Sequence, residues 1–251
     1  MPLHDWTRVT PNAFHSFHVF WITAFSNALN HGLLPPGYFA LPEHIAPPFA
    51  PDILTLATSG RGSRASPATR PSGGGLAVAT PVEATLSAGP RKQQKPPQRR
   101  VVVRHAEGRQ LVAVIEIVSP GNKARAEAIR SLVDKAVALL DNGIHVSIVD
   151  VHPNPKRLPR GFGGAIWRAV RGAEAEYIPN YSRTHSAFAA RDGGGCLAQL
   201  QSSEVGAALP NLPLYLTPEG GVELPLEAIY QAAWAMYPDQ LRDELLSEPE
   251  A

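Results

Sequence analysis

The chain has 251 residues, a formal net charge of +1, 44% hydrophobic residues and only 18% charged residues. This length fits one large domain or two small ones, with enough apolar side chains to bury a core, and we expect a single domain, residues 1–251. They exclude a wholly disordered chain. The single cysteine, Cys196, excludes a disulfide scaffold and favours a reducing compartment.

The first residues of the chain lack the basic start and the long apolar run of an export signal. The longest apolar stretch, residues 17–25, is interrupted by His18 and Thr23 and is far shorter than the roughly 20 residues that span a bilayer. We therefore expect a cytoplasmic protein with no membrane partner. The sequence does not indicate an oligomeric state.

The first predicted element is a helix that begins at Thr10-Pro11, with threonine as N-cap and proline in the first turn. Large apolar residues recur at helical spacing as far as a stop near Gly32. A proline-punctuated run containing Glu43 follows. Residues 51–56, Pro-Asp-Ile-Leu-Thr-Leu, are typical of a strand that starts with an acid, Asp52.

Residues 59–100 are rich in Gly, Pro and Ser and show no apolar periodicity, which predicts a flexible insertion within the domain. The segment contains eight basic residues and one acidic residue, a net charge of +7, which leaves −6 on the rest of the chain. A basic segment on an acidic body is able to bind a nucleic-acid backbone, but a solvated loop that merely tolerates charge is the favoured interpretation.

Two strands are predicted after the insertion, at residues 101–105 and 110–118, joined by a four-residue turn. The second strand is apolar almost throughout, which indicates burial on both faces. It contains one carboxylate, Glu116, which costs several kcal/mol there unless it is paired, hydrogen-bonded or bound to a metal. Glu116 is therefore the most informative residue of the sequence.

Further along the chain, a helix from an N-cap at Asn122 to about Asn142 and a buried strand at residues 144–151 complete a strand–helix–strand crossover. This crossover implies a parallel pair in a mixed sheet. A short helix around residues 165–170, two pairs of strands and a final helix at residues 225–237 follow. The predicted fold class is α/β.

Several of these motifs resemble the bacterial family named domain of unknown function four thousand and fifty-eight. The run Ile-Glu-Ile-Val-Ser-Pro-Gly-Asn-Lys at residues 115–123 is the most specific part, with Leu-Pro-Pro-Gly-Tyr at 34–38, Glu43, Gly143 and Asp150 as further matches. That family has no established activity. Its middle in turn resembles the Uma-type branch of the PD-(D/E)XK nuclease-like superfamily. The resemblance implies a restriction-endonuclease-like α-β-β-β-α-β core, followed by C-terminal β-hairpins and a helix.

The nuclease resemblance assigns Asp52 to the Pro-Asp element and Glu116 to the (D/E) position, with Glu43 as a further acid. Carboxylates on adjacent strands bind Mg²⁺, which polarises a phosphate and activates water, and a lysine stabilises the developing charge. The motif departs from the pattern at Val118, where the family has its lysine. Lys123 and Lys135 are the candidate substitutes.

Neither lysine is preferred by the sequence, and the absence of any catalytic lysine is an equally favoured alternative. Lys135 lies about level with Glu116 along the returning helix, but the apolar stripe places it on the solvent face. Lys123 is near the end of the strand, and its side chain would have to reach back toward Glu116.

Two functional hypotheses follow from the sequence. The favoured one is a non-catalytic, degenerate binding module in which Glu116 is satisfied by a buried arginine, a histidine or backbone donors. The alternative is a Mg²⁺-dependent nuclease or phosphodiesterase that uses Asp52 and Glu116.

Overall fold

A mixed sheet of six strands forms the centre of the protein. The computed structural model of the chain describes residues 3–44, 99–172, 181–191, 193 and 195–246. The strands lie in chain order across the sheet, and β3 and β4 are parallel whereas every other neighbouring pair is antiparallel. Their bounds are β1 Tyr38–His44, β2 Arg99–His105, β3 Leu111–Ile117, β4 His145–Val149, β5 Thr184–Ala190 and β6 Cys196–Ser202.

Helices and a separate hairpin cover this sheet. The hairpin consists of β7 (Asn211–Tyr215) and β8 (Gly221–Pro225) and packs against β4 and β5. The helices are α1 Pro11–Ala28, α2 Pro120–Lys123, α3 Ala126–Asp141, α4 Gly161–Arg171, α5 Leu226–Met236 and α6 Asp239–Leu246; a π-helical turn, Leu29–Leu33, extends α1. The predicted α/β class with a mixed sheet is confirmed, including the parallel crossover from β3 to β4.

One face of the sheet packs on an aromatic core between α1 and α5. Trp6, Phe17 and Trp21 contact Tyr230 and Trp234 there, and all five side chains are buried. Helices α3 and α4 cover the other face, where Gly163 of α4 approaches β5 and β6 closely. Even-numbered residues of β3, including Glu116, therefore face α3, and odd-numbered residues face the aromatic core.

Several predicted boundaries were wrong. Strand β1 coincides with the proline-punctuated run, which the sequence did not indicate as a strand, and β2 begins at Arg99, inside the predicted insertion. The helix predicted from Asn122 is divided into α2 and α3. The N-cap of α2 is Ser119, whose backbone N–H and hydroxyl both donate to Asn122 Oδ1 at 2.8 Å, so Asn122 is the third helical residue instead.

Other predictions fall outside the described residues. These are the strand at residues 51–56 with Asp52, and residues 59–98 of the predicted insertion. Within the described ranges, no helix is long and apolar enough to cross a membrane.

Candidate functional site

Glu116 lies in a row of charged residues that crosses three neighbouring strands. Glu43 of β1 is the register partner of Arg100 of β2, and Arg100 Nε forms an ion pair with Glu116 Oε2 of β3. Register partners share one face of a sheet, about 5 Å apart. The structure therefore brings the two predicted acids Glu43 and Glu116 into one row across the sheet, with Arg100 on the strand between them.

The Arg100–Glu116 pair is almost completely buried. The side chains are 3% and 7% exposed, respectively. Burial raises the pKa of Glu116, while the charges of Arg100 and, more weakly, Lys135 act in the opposite direction. The sequence does not identify Arg100 as the partner of Glu116. Arg100 falls within the predicted basic insertion, where no local feature distinguishes it from Arg91 or Lys95.

Lys135 lies closer to Glu116 than its place in the apolar stripe predicts. It is half-buried and lines a very small cavity of about 10 Å³ together with Arg100 and Glu116. The expectation that it faces solvent was wrong, because a lysine at the edge of the stripe folds its stem over apolar surface. Such a cavity has room for no more than a single water molecule.

Glu43 is engaged by a different arginine. Its two carboxylate oxygens accept hydrogen bonds from Arg104 Nε and Nη2, each at 2.9 Å, and Arg104 Nη1 donates to the carbonyl of Arg109. This bidentate pair is partly exposed, with side-chain exposures of 21% and 29%. Both described acids of the predicted metal site thus have an arginine partner. Glu43 and Glu116 therefore do not fit Mg²⁺, which binds carboxylate oxygens that are not already paired with a cation. The role of Asp52 stays a prediction.

Lys123 lies at the carboxyl ends of the parallel strands β3 and β4 rather than beside Glu116. Its Nζ lies 2.7 Å from Asp150 Oδ2 and donates to the carbonyl of His152 at 2.6 Å and to Asn154 Oδ1 at 3.1 Å. It is 6% exposed and Asp150 is fully buried. Burial lowers the pKa of Lys123 and raises that of Asp150, and the mutual attraction of the pair opposes both shifts. An ammonium group held by so many acceptors anchors a loop.

A serine and a histidine also lie within hydrogen-bond distance in this region. His185 Nε2 is 2.9 Å from Ser203 Oγ, and His185 Nδ1 accepts from the backbone N–H of Asp150 at 3.2 Å. Because Nδ1 is the acceptor, the ring proton is on Nε2 and is donated to the serine. The histidine therefore does not take a proton from Ser203, as nucleophilic catalysis requires.

Sequence reasoning missed a basic depression next to α4. Arg157, Arg160 and Arg168 line a cavity of about 460 Å³ where the loop after Asn154 enters the helix. A signal was present, because residues 151–172 contain five basic and no acidic residues. The sequence around this depression contains a glycine run at residues 161–164. This run forms the first turn of α4.

Comparison with known proteins does not indicate a function for these residues. No protein-family model, curated protein or solved structure matches the chain. Among the residues that the structure describes, no group of three or more His, Cys, Asp or Glu side chains could hold a metal ion.

Proposed function

We propose that this protein is a non-catalytic binding module whose core derives from a nuclease-like fold of the PD-(D/E)XK kind. The observation that carries the proposal is the buried ion pair between Arg100 and Glu116. In a nuclease of this type the equivalent carboxylate would ligate a metal. Here a guanidinium from the neighbouring strand takes that place, and it neutralises the carboxylate without an ion.

The order of helices and strands supports this proposal. A helix, three strands, a further helical segment and a strand parallel to the third follow one another from α1 to β4. In that arrangement, Glu116 lies on the strand before the crossover. The Lys123–Asp150 pair also supports a binding role, because a lysine with buried acceptors on several sides is not free to meet a substrate.

A pair of substitutions tests whether the Arg100–Glu116 pair is structural. Removing one partner leaves a buried, uncompensated charge, so Arg100→Leu or Glu116→Leu alone is expected to lower the free energy of unfolding by about 3–5 kcal/mol. The double variant Arg100→Leu/Glu116→Leu removes both charges and should recover most of that loss. Urea unfolding at neutral pH measures the free energy of unfolding of the single variants and of the double variant. A double variant as unstable as the sum of the single variants would contradict a purely structural pair.

The partner proposed for the module is nucleic acid, bound through residues 59–98 of the basic segment, because Arg100 is buried against Glu116. Neutralising Arg91, Lys92 and Lys95 together with glutamine should weaken binding to a DNA duplex. It should also reduce the slope of log K against log salt by about one per lost phosphate contact. Arg130→Gln, on the exposed side of α3, is the matched control. An unchanged salt slope would remove this segment from the interface.

The nuclease alternative is kept because Lys135 and Glu116 line the same small cavity. Calorimetric titration with Mg²⁺ and with Mn²⁺ separates the two functions, using wild type, Glu116→Gln and Asp52→Asn. The exposed Asp134→Asn on α3 serves as control. The binding-module proposal expects no metal binding that depends on Glu116 and Asp52. Binding that is lost in both variants and kept in the control would favour the nuclease.

A further inference from the structure

The two edges of the six-stranded sheet are not alike. Strands β1 and β6 form these edges. The outer side of an edge strand presents backbone N–H and C=O groups with which a further strand can pair, and proteins close such edges with proline, charged side chains or a covering segment. One edge of this sheet is closed in this way, and the other is open.

The outer side of β1 is closed to a further strand. The register with β2 directs the backbone groups of Tyr38, Ala40 and Pro42 outward. The side-chain amide of Asn30 donates to the Ala40 carbonyl and accepts from the Ala40 N–H, each at 2.8 Å. The Tyr38 N–H donates to the carbonyl of Pro35, and Pro42 has no N–H. Along this stretch of the described chain, no outward N–H is left for a partner strand.

The outer side of β6 carries backbone groups that no described residue engages. The N–H of Arg191 donates to the carbonyl of Gly195, and the N–H of Ser203 donates to the carbonyl of Arg183. In the antiparallel register between these bonds, the odd-numbered residues of β6 pair with β5. The N–H and C=O groups of positions 196, 198, 200 and 202 therefore point away from the sheet, and they form no hydrogen bond within the described ranges.

The side chains of β6 also lack the features that keep edge strands apart. Residues 195–203 contain neither a charged residue nor a proline. The pairing with β5 continues from Cys196 to Ser202 without a bulge, and Gln199 and Gln201 are exposed. A long, regular and uncharged edge strand is a template for pairing with another strand.

We propose that β6 pairs antiparallel with the β6 of a second copy of this chain, which joins the two sheets into one. An antiparallel pair centred on Gln199 overlaps all seven residues of the strand, and at each outward residue it exchanges two backbone hydrogen bonds. It places the small Ala198 opposite the larger Leu200 of the other copy. Because the strand is uncharged, a second copy meets no like charge across the two-fold axis. The strand is thus complementary to itself.

The closed edge at β1 limits this pairing to two copies. A head-to-tail contact of β6 with β1 would continue from copy to copy into a fibre, and Asn30 and Pro42 oppose that contact. A contact of β6 with itself leaves only the closed β1 edges at the ends of the joined sheet. The inference goes beyond the proposed function and does not rest on it, because β6 shares no residue with the Arg100–Glu116 pair or with the basic segment.

A cross-link that depends on the register tests this pairing. At the two-fold axis, Gln199 lies opposite its own copy in a non-hydrogen-bonded pair, with Cα atoms about 4.5 Å apart, which is close enough for a disulfide. In a Cys196→Ser background, Gln199→Cys should therefore give a disulfide-linked dimer on mild oxidation, seen by non-reducing gel electrophoresis. Gln201→Cys, exposed on the same face, is the matched control, because its two copies would lie about 14 Å apart along the strands.

Sedimentation equilibrium of the full chain measures the association itself. We expect a monomer–dimer equilibrium with a dissociation constant in the micromolar range, since a strand pair alone buries a small interface. Ala198→Pro removes an outward N–H and leaves the pairing with β5 intact, so it should weaken the dimer by at least about tenfold. Gln199→Glu brings two carboxylates together at the axis and should weaken it as well. Thermal unfolding at low concentration checks that both variants fold, and Gln199→Glu changes only an exposed side chain.

The outcomes separate this dimer from other associations. Equal cross-linking of Gln199→Cys and Gln201→Cys, or a dimer that both Ala198→Pro and Gln199→Glu leave unchanged, would mean that the copies meet through another surface, which overturns the proposal. A chain that stays monomeric up to about 500 μM and forms no cross-link also overturns it, and leaves the open edge to a strand from a different protein. None of these results depends on nucleic-acid binding or on the role of Glu116.

Discussion

Lys123 Nζ lies 2.7 Å from Asp150 Oδ2, and this buried pair joins helix α2 to the residue that follows strand β4. The same ammonium group donates to the carbonyls of His152 and Pro153 and to the side chain of Asn154. Asn154 in turn lies next to Gly161, at the start of α4. The lysine therefore fixes the first part of the loop that leads to the arginine-lined cavity.

The first prediction concerns this anchor. Lys123→Met removes the only cation that forms a salt bridge with the buried Asp150 among the described residues, which should lower the free energy of unfolding by about 3–5 kcal/mol. The double variant Lys123→Met/Asp150→Leu should lose less than the sum of the single variants, because neither charge remains. Urea unfolding measures each value, and Lys156→Met, an exposed lysine of the same loop, is the control. A loss below about 1 kcal/mol for Lys123→Met would mean that the loop has another anchor.

The second prediction is a pH dependence of stability that comes from His185. Burial lowers its pKa from 6.5 to about 3. Because the folded state binds the proton less well than the unfolded state, the histidine's contribution is complete above pH 6.5 and is lost as pH falls toward 3. At pH 5 the loss is about 2 kcal/mol relative to pH 8.

The variant His185→Asn isolates this effect, since an amide oxygen accepts from the N–H of Asp150 as the ring does and does not titrate. Its free energy of unfolding should fall by about 2 kcal/mol less than that of wild type between pH 8 and pH 5. His15→Asn, an exposed residue of α1, should keep the wild-type pH profile. Equal slopes for wild type and His185→Asn would show that His185 is not buried as a neutral ring.

Much of the fold followed from the sequence where the local signals were strong. Thr10 accepts a hydrogen bond from the N–H of Ala13, and α1 begins at Pro11, as the cap pattern predicts. The apolar run around Glu116 forms a buried strand, and its crossover to β4 is parallel. These features depend on neighbours in the chain, which a sequence displays directly.

The candidate site could be predicted from the sequence only in part, because its contacts join distant parts of the chain. Arg100 belongs by composition to a basic, proline-rich run, so only the pairing of β2 with β3 identifies it as the partner of Glu116. The pairing of Lys123 with Asp150 follows from the parallel crossover, which places the residues after β3 and β4 at the same edge of the sheet. Sequence spacing alone does not say which strand ends meet.

The third prediction compares two glycines that both have a positive φ angle. Gly161 has φ +63° and Gly172 has φ +70°, at opposite ends of α4. Alanine at either position carries the strain of a positive φ angle, about 1–3 kcal/mol. A Cβ at Gly161 also overlaps with Thr184, whereas nothing lies within 4 Å of a Cβ at Gly172. Gly161→Ala should therefore lower the free energy of unfolding by about 1–3 kcal/mol more than Gly172→Ala does. Equal melting temperatures for the two variants would contradict the close packing of α4 on β5.

The last prediction concerns the attachment of the N-terminal segment to helix α5. The Tyr230 hydroxyl accepts from Trp6 Nε1 at 3.1 Å and lies 2.7 Å from His4 Nδ1. Burial lowers the pKa of His4 to about 4, so the neutral ring accepts the tyrosine proton near neutral pH.

Tyr230→Phe keeps the ring but leaves the buried Trp6 N–H without its acceptor, and we expect a loss of about 1–3 kcal/mol in the free energy of unfolding. The tryptophan fluorescence of the folded protein should change as well, because Trp6 and Trp234 both lie beside this ring network. Tyr38→Phe is the matched control, a half-buried tyrosine of β1. If both variants were equally stable, the Tyr230 hydroxyl would not hold the N-terminal segment, and its packing alone would do so.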